Sequence, residues 1–593
     1  MTAPDPDNLS PAARAFLLVL VLITGGTVLA LEVLGTRVIG TYYGSSLYVW
    51  AALLSVTLVC LAVGYALGGR LADRWPHAWV LFLLVMLAGV LTAGVPMLVG
   101  VLAPLGDRLG LAWGAIASAF VIFFLPLTLL AMAGPYVIRL RARRVEGVGA
   151  TSGAVYAIST VGSVAGVLAV SFWMVPSLGT RLSLLVLAGV LVALGAAGLA
   201  VATRGRAAPL LLVAGLPVLA RPNEAPFPGE LYHTESPYGD LRVLERARPG
   251  RGPHRFLLVD GIMQTGMPMD VDFVGPGAIL QSDSYYLELL PYFYPDLGDG
   301  RRGVLIGLAG GLFPRIMEFY PIHWTAVEID RKVAELAAAY FGYRGQVHDG
   351  RGRPWPVDVS RFPDRASRLM EEHLAALDPE ARERHRAEHL EAGPYRGRAV
   401  IQDGRQYLER LAGPVDFIVL DAYNSDTIPF HLVTREFFEL VRRRLTDDGL
   451  LAINYIGRPE GDRVTDSLFR TLAEVFGGER IRAYRTRDDP EAVQVIIVFA
   501  LRRPMDLLPL WRGPAAGPGA DRLSYELARR RVDTRRPGGA VITDDLNPTD
   551  LVRASTALEW RRETRRLLGG GPVSPPRLRG AQPPGRPPEP APS

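Results

Sequence analysis

Carboxylates and glycines follow the strands of a repeated strand–helix pattern in the middle of the chain. The apolar runs predict five strands, Val304–Ile306, Trp324–Val327, Arg398–Gln402, Phe417–Leu420 and Leu450–Tyr455. At their ends lie Gly307, Glu328, Asp403, Asp421 and Asn454. In an open α/β sheet, ligands bind in the crevice beyond the carboxyl ends of the strands. A line of acids there favours a ligand with hydroxyl groups and positive charge, such as a nucleoside that carries a sulfonium or an amine.

The glycines and the first acid have the spacing of a nucleoside site. Gly307, Gly310 and Gly311 follow a buried strand and open a helix, where glycine lets backbone amides approach a ligand. Glu328 comes about twenty residues later, the spacing at which an acid binds ribose hydroxyls. The pattern fits NAD and S-adenosyl ligands alike, but the stricter G-x-G-x-x-G order is absent, which disfavours a dinucleotide. A glycine-rich turn with a helix-capping acid is the structural alternative.

Two further acids end the third and fourth strands. Asp403, followed by Gly404, can accept a hydrogen bond from an adenine amino group or simply cap the next helix. Asp421 can hold an incoming amine and take its proton. The loop after Asp421 carries the polar residues Tyr423, Asn424, Asp426 and His431. We expect His431 to be a loop residue rather than a catalyst, and the absence of His/Cys clusters at metal-ligand spacing predicts no metal site.

The first third of the chain is too apolar for a soluble domain. Mean hydropathy over the 593 residues is +0.19, and this length predicts at least two domains. Long apolar runs lie near residues 16–33, 47–67, 79–102, 111–132, 153–175 and 182–201. Each approaches or exceeds the roughly 18–20 residues that cross a bilayer, so we expect about six membrane spans with the lipid bilayer as a partner.

Arginines between the spans predict the orientation. The connections after the second, fourth and sixth spans carry Arg70, Arg74, Arg139, Arg141, Arg143, Arg144, Arg204 and Arg206. The alternate connections carry only Arg37, Arg108 and Arg181. The positive-inside rule then puts both ends of the bundle, and the C-terminal domain, in the cytoplasm of a bacterial-type inner membrane. A seventh apolar run, Pro209–Ala220, is too short to favour a span, but if it crossed, everything downstream would be extracytoplasmic.

Smaller observations limit the remaining function classes. Cys60 is the only cysteine, which excludes an intramolecular disulfide. The net charge of +5 comes without a basic stripe, so no nucleic-acid partner is expected. Glu32 is an acid near the end of a span, and such acids are functional candidates. An interfacial ion pair with Arg37 is the alternative.

Several motifs together resemble a known family. They are ESPYGDLRV, LLVDGIMQ, YYLELL, VLIGLAGG, VEID, QDGRQYL and the run FIVLDAYNSDTIPFHLVTREFFELVRRRLTDDGLLAINY. From about Leu231 to Leu501 the chain thereby resembles the spermidine synthase family of aminopropyltransferases. The multi-span front, with YYGSSLYVW and GYALGGRLADR, and the later TDDLNP are similar to membrane-fused members of that family.

The resemblance implies an in-line displacement that needs no metal. A polyamine nitrogen attacks the methylene beside the sulfonium of decarboxylated S-adenosylmethionine, and methylthioadenosine leaves. By position, Glu328 would hold the ribose and Asp403–Gly404 the adenine. Asp421, with Tyr423 beside it, would accept the proton of the attacking amine. The other donor-binding residues would be Gln264, Gly307, Gly310, Gly311 and Asp330, and the other amine-binding residues Tyr286, Glu288, Asn424 and Asp426.

Several positions depart from the family pattern. Gly239 stands where the family has Gln, and Leu287 where it has an amine-contacting His. Asn424 replaces a second loop acid unless Asp426 compensates, and Gly310 replaces the acid that would pair with the aminopropyl amine. An acid at that position would repel the carboxylate of intact S-adenosylmethionine, at a cost on the order of several kcal/mol. The donor can therefore be either form, and we hypothesise that Gly310→Asp weakens binding of intact S-adenosylmethionine, which calorimetry would test.

The predicted fold class is a multi-span α-helical membrane bundle plus a Rossmann-like (class I methyltransferase-type) doubly wound sheet, preceded by a small β-hairpin subdomain. The expected organisation is a tail (1–13), the bundle (14–206), a linker or interfacial segment (207–229), the hairpin subdomain (230–270), the nucleoside-binding domain (271–502, with an insertion at 348–397), an extension (503–568) and a disordered Pro-rich tail (569–593). Two other functions remain open: a methyltransferase on the same scaffold, and a transporter with a nucleoside-sensing domain. The acceptor amine and the oligomeric state, with a homodimer as one option, are also left open.

Overall fold

A computed structural model gives the fold of the chain. It describes residues 11–43, 47–141, 147–203, 229–248, 252–268, 286–294, 297, 300–317, 320, 322–343, 345–355, 397–424, 427–507, 520–536, 538–545 and 554–567. The tail after 568, the interfacial run 209–220 and most of the predicted insertion lie outside these residues. The statements below concern the described residues.

The N-terminal third is helical. Its helices are α1 (Pro11–Tyr43), α2 (Leu47–Arg74), α3 (Ala78–Gly94), α4 (Leu102–Ala131), α5 (Ala133–Arg141), α6 (Val148–Ala169) and α7 (Val175–Thr203). A short 3-10 segment, Val95–Val101, joins α3 to α4, and a π-helical turn, Val170–Met174, joins α6 to α7. Five helical stretches in this region are long and apolar enough to cross a membrane.

The last of these stretches makes two passes. It runs from Val148 to Thr203, 56 residues, about twice the length that one crossing needs. The chain breaks at Gly179, whose φ of +76° favours glycine. Before the break α6 runs parallel to α1, because Gly162 packs on Leu22 and Gly166 on Gly26. After it α7 runs antiparallel to α3, as contacts from Gly89 to Ala188 and from Gly195 to Met86 show. This stretch therefore runs the length of the bundle twice, and the six membrane spans stay a prediction.

The two ends of the bundle differ in charge. At one end Arg141 donates to the carbonyl of Arg14 at 3.4 Å, and Tyr136 donates to the carbonyl of Trp75. This arginine-rich end also holds the C-terminus of α7, because α7 runs antiparallel to α3. At the opposite end Tyr43 donates to the carbonyl of Leu102 at 3.0 Å. We name this second end, which also contains Gly179, the domain-facing end.

The chain after residue 229, here called the sheet domain, begins with a four-stranded antiparallel sheet in the order β1-β2-β3-β4. Its strands are β1 (Glu230–Ser236), β2 (Gly239–Arg248), β3 (Gly252–Val259) and β4 (Ile262–Pro268). Asp260 and Gly261 form the two-residue turn from β3 to β4 with positive φ values of 49° and 73°. A turn with two positive φ values suits the twist of a hairpin, and Asp-Gly is a preferred pair there. The predicted hairpin subdomain is confirmed.

An eight-stranded sheet follows, in the order β11-β12-β10-β9-β5-β6-β8-β7. Its strands are β5 (Arg301–Ile306), β6 (Ile322–Glu328), β7 (Gln346–Asp349), β8 (Arg398–Ile401), β9 (Val415–Leu420), β10 (Leu445–Gly457), β11 (Ile481–Arg485) and β12 (Gln494–Leu501). The strands from β10 to β7 pair in parallel, and β12 pairs antiparallel with β10 and β11. The doubly wound Rossmann-like fold and its closing antiparallel pair are confirmed. The edge strand β7 was not predicted, because QVHD is short and polar.

The helices of the sheet domain cover both faces of this sheet. They are α8 (Leu312–Met317), α9 (Arg331–Tyr340), α10 (Gly404–Arg410), α11 (Arg435–Arg444), α12 (Arg463–Phe476), α13 (Ala520–Arg529) and α14 (Ala554–Leu567), with 3-10 turns at Tyr286–Phe293, Phe430–Leu432 and Gly478–Arg480. Side chains of the preceding residues cap several N-termini. Asp330 accepts from the Lys332 amide at 2.9 Å, for example, and Asp462 from the Val464 amide at 3.1 Å.

The sheet domain sits on the domain-facing end of the bundle. Arg37 of α1 donates to the carbonyl of Ser236 at 2.8 Å, and Arg561 of α14 donates to the carbonyl of Tyr42 at 3.1 Å. The sequence predicted the bundle's two termini and the sheet domain on one side, whereas the structure places them at opposite ends of the bundle. Which end faces the cytoplasm stays a prediction. From Thr180 to Thr203 α7 is about 36 Å long at 1.5 Å per residue. The sheet domain and the arginine-rich end are therefore separated along the bundle by the length of this helix.

Candidate nucleoside site

A cavity of about 490 Å³ lies at the carboxyl ends of the central strands. Strand register explains why the predicted residues meet there: Ile306 at the end of β5 pairs with Val327 of β6 on one side and Leu420 of β9 on the other. The predicted residues that line the cavity are Gln264, Gly307, Glu328, Asp330, Asp403, Gly404, Asp421, Tyr423 and Asn424. The structure thus brings most of the predicted site together.

The other predicted residues fall elsewhere. Asp426 and the side chains of Tyr286 and Glu288 lie outside the described residues. Gly310 and Gly311 are described but line no part of the cavity. A Cβ on Gly310 would lie 2.8 Å from Thr265 Cγ2, and one on Gly311 3.0 Å from Tyr343 Cβ. Their contact with a ligand stays a prediction.

The close packing at Gly310 makes Gly310→Asp an ambiguous variant for testing donor binding. An aspartate there would collide with Thr265, whose hydroxyl accepts from the Gly310 amide at 2.9 Å. Any loss of affinity in Gly310→Asp would therefore mix steric strain with charge repulsion. Gly307, in contrast, is required by geometry: its φ is +96°, and a Cβ would lie 2.2 Å from the carbonyl oxygen of Asp421.

Glu328 lies at the floor of the cavity and is 8% exposed. Its two carboxylate oxygens accept from the amides of Leu308 and Asp330 at 2.9 and 3.0 Å. Burial raises the pKa of Glu328 to about 7, and the two amide hydrogen bonds oppose that rise. The loop after β5 is thereby tied to the end of β6, and the remaining lone pairs of the carboxylate can take hydroxyl donors.

Asp403 caps α10 and also faces the cavity. Its Oδ1 accepts from the Gln406 amide at 3.0 Å, so the capping role considered from the sequence is confirmed. Its Oδ2 lies 3.0 Å from His431 Nε2. This hydrogen bond from His431 is the main cause that lowers the pKa of Asp403. His431 also lines the cavity. The sequence predicted only a loop residue there, because its partner Asp403 is 28 residues away.

Asp421 is paired with a neighbouring strand end. Asn454 Nδ2 donates to Asp421 Oδ1 at 2.7 Å, and the hydroxyl of Tyr423 donates to the Asn454 carbonyl at 2.6 Å. Burial raises the pKa of Asp421 to about 7, and the Asn454 hydrogen bond opposes that rise. Asn454 Oδ1 is buried and has no hydrogen-bond partner among the described residues. A carboxyl group that titrates near neutrality is suited to exchange a proton with an amine.

The cavity wall opposite the sheet comes from other parts of the chain. The four-stranded sheet contributes Tyr238, Asp260 and Gln264, and helices α1 and α2 contribute Thr36, Arg37, Gly40, Val49 and Trp50. Burial raises the pKa of Asp260, whose carboxylate accepts from the Asp240 amide at 2.9 Å. In the part of the chain that the structure describes, no group of three His, Cys, Asp or Glu side chains could hold a metal ion.

Comparison with known proteins gives partial matches. No family model matches the chain. A probable polyamine aminopropyl transferase of Bifidobacterium longum (strain NCC 2705) is 27% identical over 187 residues, 31% of this chain and 31% of the relative. A polyamine aminopropyltransferase of Vibrio vulnificus (strain CMCP6) is 29% identical over 182 residues, 30% of this chain and 44% of the relative. A crystal structure of spermidine synthase from Thermotoga maritima matches with a TM-score of 0.31 and 16% identity, covering 57% of this chain and 87% of that one.

These findings define a class. The sheet domain carries a Rossmann-like fold with a cavity at the carboxyl ends of its central strands, and about a third of the chain is similar in sequence to polyamine aminopropyltransferases. The predicted resemblance to the spermidine synthase family is confirmed over that part. The chain spans less than half the length of the curated relatives it matches.

Proposed function

We propose that this chain is a membrane-anchored aminopropyltransferase that moves an aminopropyl group from decarboxylated S-adenosylmethionine to an amine. The observation that carries the proposal is Asp421, held by Asn454, in the same cavity as Glu328 and Asp403. The names of the two curated relatives support the same chemistry. The five helical stretches that could cross a membrane support the anchoring.

The donor nucleoside would be bound through its sugar and base. Glu328 would accept from the ribose hydroxyls, because its carboxylate is already fixed by two backbone amides. Asp403, fixed by the Gln406 amide and His431, would accept from the adenine amino group. The sulfonium would then lie towards Asp421, where a fixed negative charge stabilises it.

The transfer step needs a neutral amine. Its nitrogen lone pair forms a bond to the methylene carbon beside the sulfur, and the C–S bond breaks. The electron pair of that bond goes to sulfur, which leaves as the neutral thioether of methylthioadenosine. The proton lost by the amine passes to the carboxylate of Asp421, whose pKa of about 7 allows it to accept that proton and return it to solvent.

The identity of the nucleoside product tests this proposal. The purified full chain in lipid nanodiscs would be incubated with an amine and either form of the donor, and mass spectrometry would identify the nucleoside released. We expect methylthioadenosine from the decarboxylated donor, lost in Asp421→Asn. Release of S-adenosylhomocysteine from intact S-adenosylmethionine would instead identify a methyltransferase. Full activity of Asp421→Asn would contradict the assigned step.

A further inference from the structure

The helical bundle forms one wall of the cavity. Thr36, Arg37 and Gly40 of α1 and Val49 and Trp50 of α2 line the same cavity as Asp421. The connection between the two domains at this point is direct, since Arg37 donates to the carbonyls of Ser236 and Pro237 in the β1–β2 turn. The sheet domain alone therefore does not complete the site.

These bundle residues lie at the level of lipid headgroups. Helix α1 has 33 residues, about 50 Å of helix against a hydrocarbon core of about 30 Å. Its apolar run ends near Leu34, so Arg37 lies just beyond the hydrocarbon. Trp50 lies in the first turn of α2 and is 59% exposed. Tryptophan and arginine are both typical of the membrane–water interface, so the cavity is bordered by headgroups on this side.

The charges on the two walls differ in sign. The sheet side presents Glu328, Asp403 and Asp421. The bundle side presents Arg37, whose described hydrogen bonds go to two neutral carbonyls and whose charge is partly offset by the nearby Asp260 carboxylate. A guanidinium has five N–H donors, and these two bonds leave others for an anion such as phosphate. A polyamine with only positive charges offers Arg37 no partner, whereas a molecule with both a phosphate and a primary amine matches both walls.

We propose that the acceptor is a membrane lipid whose headgroup carries a phosphate and a primary amine. Arg37 binds the phosphate, Val49 and Trp50 contact the adjoining apolar part of the lipid, and the amine reaches Asp421. This inference rests on the proposed aminopropyl transfer and names its substrate class. In this step the lipid amine gains the N–C bond. The C–S bond breaks, so the sulfonium becomes the thioether, and Asp421 takes the amine proton.

The test compares lipid and soluble amines. The full chain would be reconstituted in phosphatidylcholine nanodiscs with and without phosphatidylethanolamine, in the presence of decarboxylated S-adenosylmethionine. A third sample would contain phosphatidylcholine with added putrescine. We expect methylthioadenosine and an aminopropylated lipid only where phosphatidylethanolamine is present. Turnover with putrescine at an equal or higher rate would overturn the lipid acceptor while leaving aminopropyl transfer intact. If no sample turned over although calorimetry showed that the donor binds, both proposals would fail.

Variants of Trp50 and Arg37 separate a direct role of the bundle wall from a general loss of folding. Trp50→Ala should reduce lipid turnover on the order of tenfold, since burying an aromatic side chain is worth about that factor or more. Trp113→Ala is the matched control, because Trp113 is also exposed, at 70%, on the bundle helix α4 but does not line the cavity. Arg37→Gln should raise the KM for the lipid more than it lowers kcat. Arg37→Lys should raise this KM less, because lysine keeps the positive charge. Equal effects of Trp50→Ala and Trp113→Ala would overturn the contact.

Discussion

Three carboxyl groups in one cavity have three different environments. Glu328 is buried against two amides, Asp403 is held ionised by His431, and Asp421 is raised to a pKa of about 7. The pKa values of Glu328 and Asp421 are both raised to about 7, whereas the pKa of Asp403 is lowered, and such a separation divides roles within a site. Asp403 can serve as a constant negative charge, whereas Asp421 can exchange a proton near neutral pH.

The first prediction concerns the pH dependence of transfer. Because Asp421 must be ionised to accept a proton, kcat/KM should rise with pH through about 7. Asn454 donates to the charged form and so lowers the pKa of Asp421. Asn454→Ala should therefore move this rise to higher pH. A pH–rate profile measures the shift, and an unchanged profile in the variant would show that Asn454 does not tune the base.

The second prediction concerns donor affinity. Glu328→Gln replaces one oxygen by an NH₂ group that faces a backbone N–H, so a ribose acceptor is lost and the β5 loop is disturbed. Affinity for methylthioadenosine should fall roughly 10- to 100-fold, because a hydrogen bond to a charged group contributes about that factor. Calorimetry measures the dissociation constant of each variant. Glu335→Gln is the control, since Glu335 lies on the adjacent helix α9, pairs with Arg331 and is outside the cavity. An equal loss in both variants would argue against ribose binding by Glu328.

Individual acids could be predicted from the sequence, but their partners could not. Asp421 and Glu328 follow apolar strands, and that position alone places them at the sheet's edge. The partner of Asp421 depends on register: Ile453 of β10 pairs with Leu420 of β9, which sets Asn454 beside Asp421. Asn454 was predicted to end a strand, yet its contact follows only from the strand order. Arg37 and Trp50 are about two hundred residues from the hairpin and give no local signal for the site.

At the scale of elements, one strand is joined to one membrane helix. Glu235 at the end of β1 accepts from the Thr180 amide at 2.9 Å with each carboxylate oxygen, and from the Thr180 hydroxyl at 2.5 Å. Thr180 follows the break at Gly179, so its amide is one of the unpaired donors at the start of the helical run towards Thr203. An acid at a helix N-terminus is also favoured by the helix dipole.

The third prediction tests this junction. Glu235→Ala should expose the Thr180 amide and cost about 1–2 kcal/mol at the junction, the usual value of a lost cap. Hydrogen exchange at residues 180–183 should accelerate accordingly. Glu230→Ala is the control on the same strand, because Glu230 pairs with Arg242 within the sheet domain. If exchange at Thr180 were equally slow in both variants, Glu235 would not hold the helix start.

The elements themselves follow largely from sequence patterns. The predicted strands of the central sheet were apolar runs with polar ends, and each is present. The break at Gly179 falls between the two apolar runs 153–175 and 182–201 that the sequence predicted as separate spans. What the patterns lacked was the packing of the bundle on the sheet domain, because it depends on contacts between segments far apart in the chain, such as Thr180 with Glu235.

At the scale of the whole molecule, the bundle separates the sheet domain from the arginine-rich end. The domain contacts Arg37, Tyr42 and Thr180, whereas the arginines near Arg14 and Arg141 lie at the other end. The positive-inside rule predicts that the arginine-rich end faces the cytoplasm. We therefore predict that the sheet domain lies on the extracytoplasmic side.

The fourth prediction is a labelling pattern. Cys60 is the only cysteine, so Cys60→Ala gives a cysteine-free protein into which single reporter cysteines can be introduced. Asp73→Cys reports the arginine-rich end, and Asp447→Cys reports the sheet domain, with side chains 75% and 101% exposed. A membrane-impermeant maleimide applied to intact cells should label position 447 and not position 73. Labelling of both positions from one side would contradict the arrangement, and labelling of position 73 alone would show that the arginine rule fails for this bundle.

The most direct test of the account is a structure of the protein with methylthioadenosine bound. In that structure the ribose hydroxyls should bind Glu328 and the adenine amino group should bind Asp403. The sulfur should point towards Asp421 and the wall formed by Trp50. A nucleoside bound away from the carboxyl ends of β5, β6 and β9, or bound there without contact to Glu328, would contradict it.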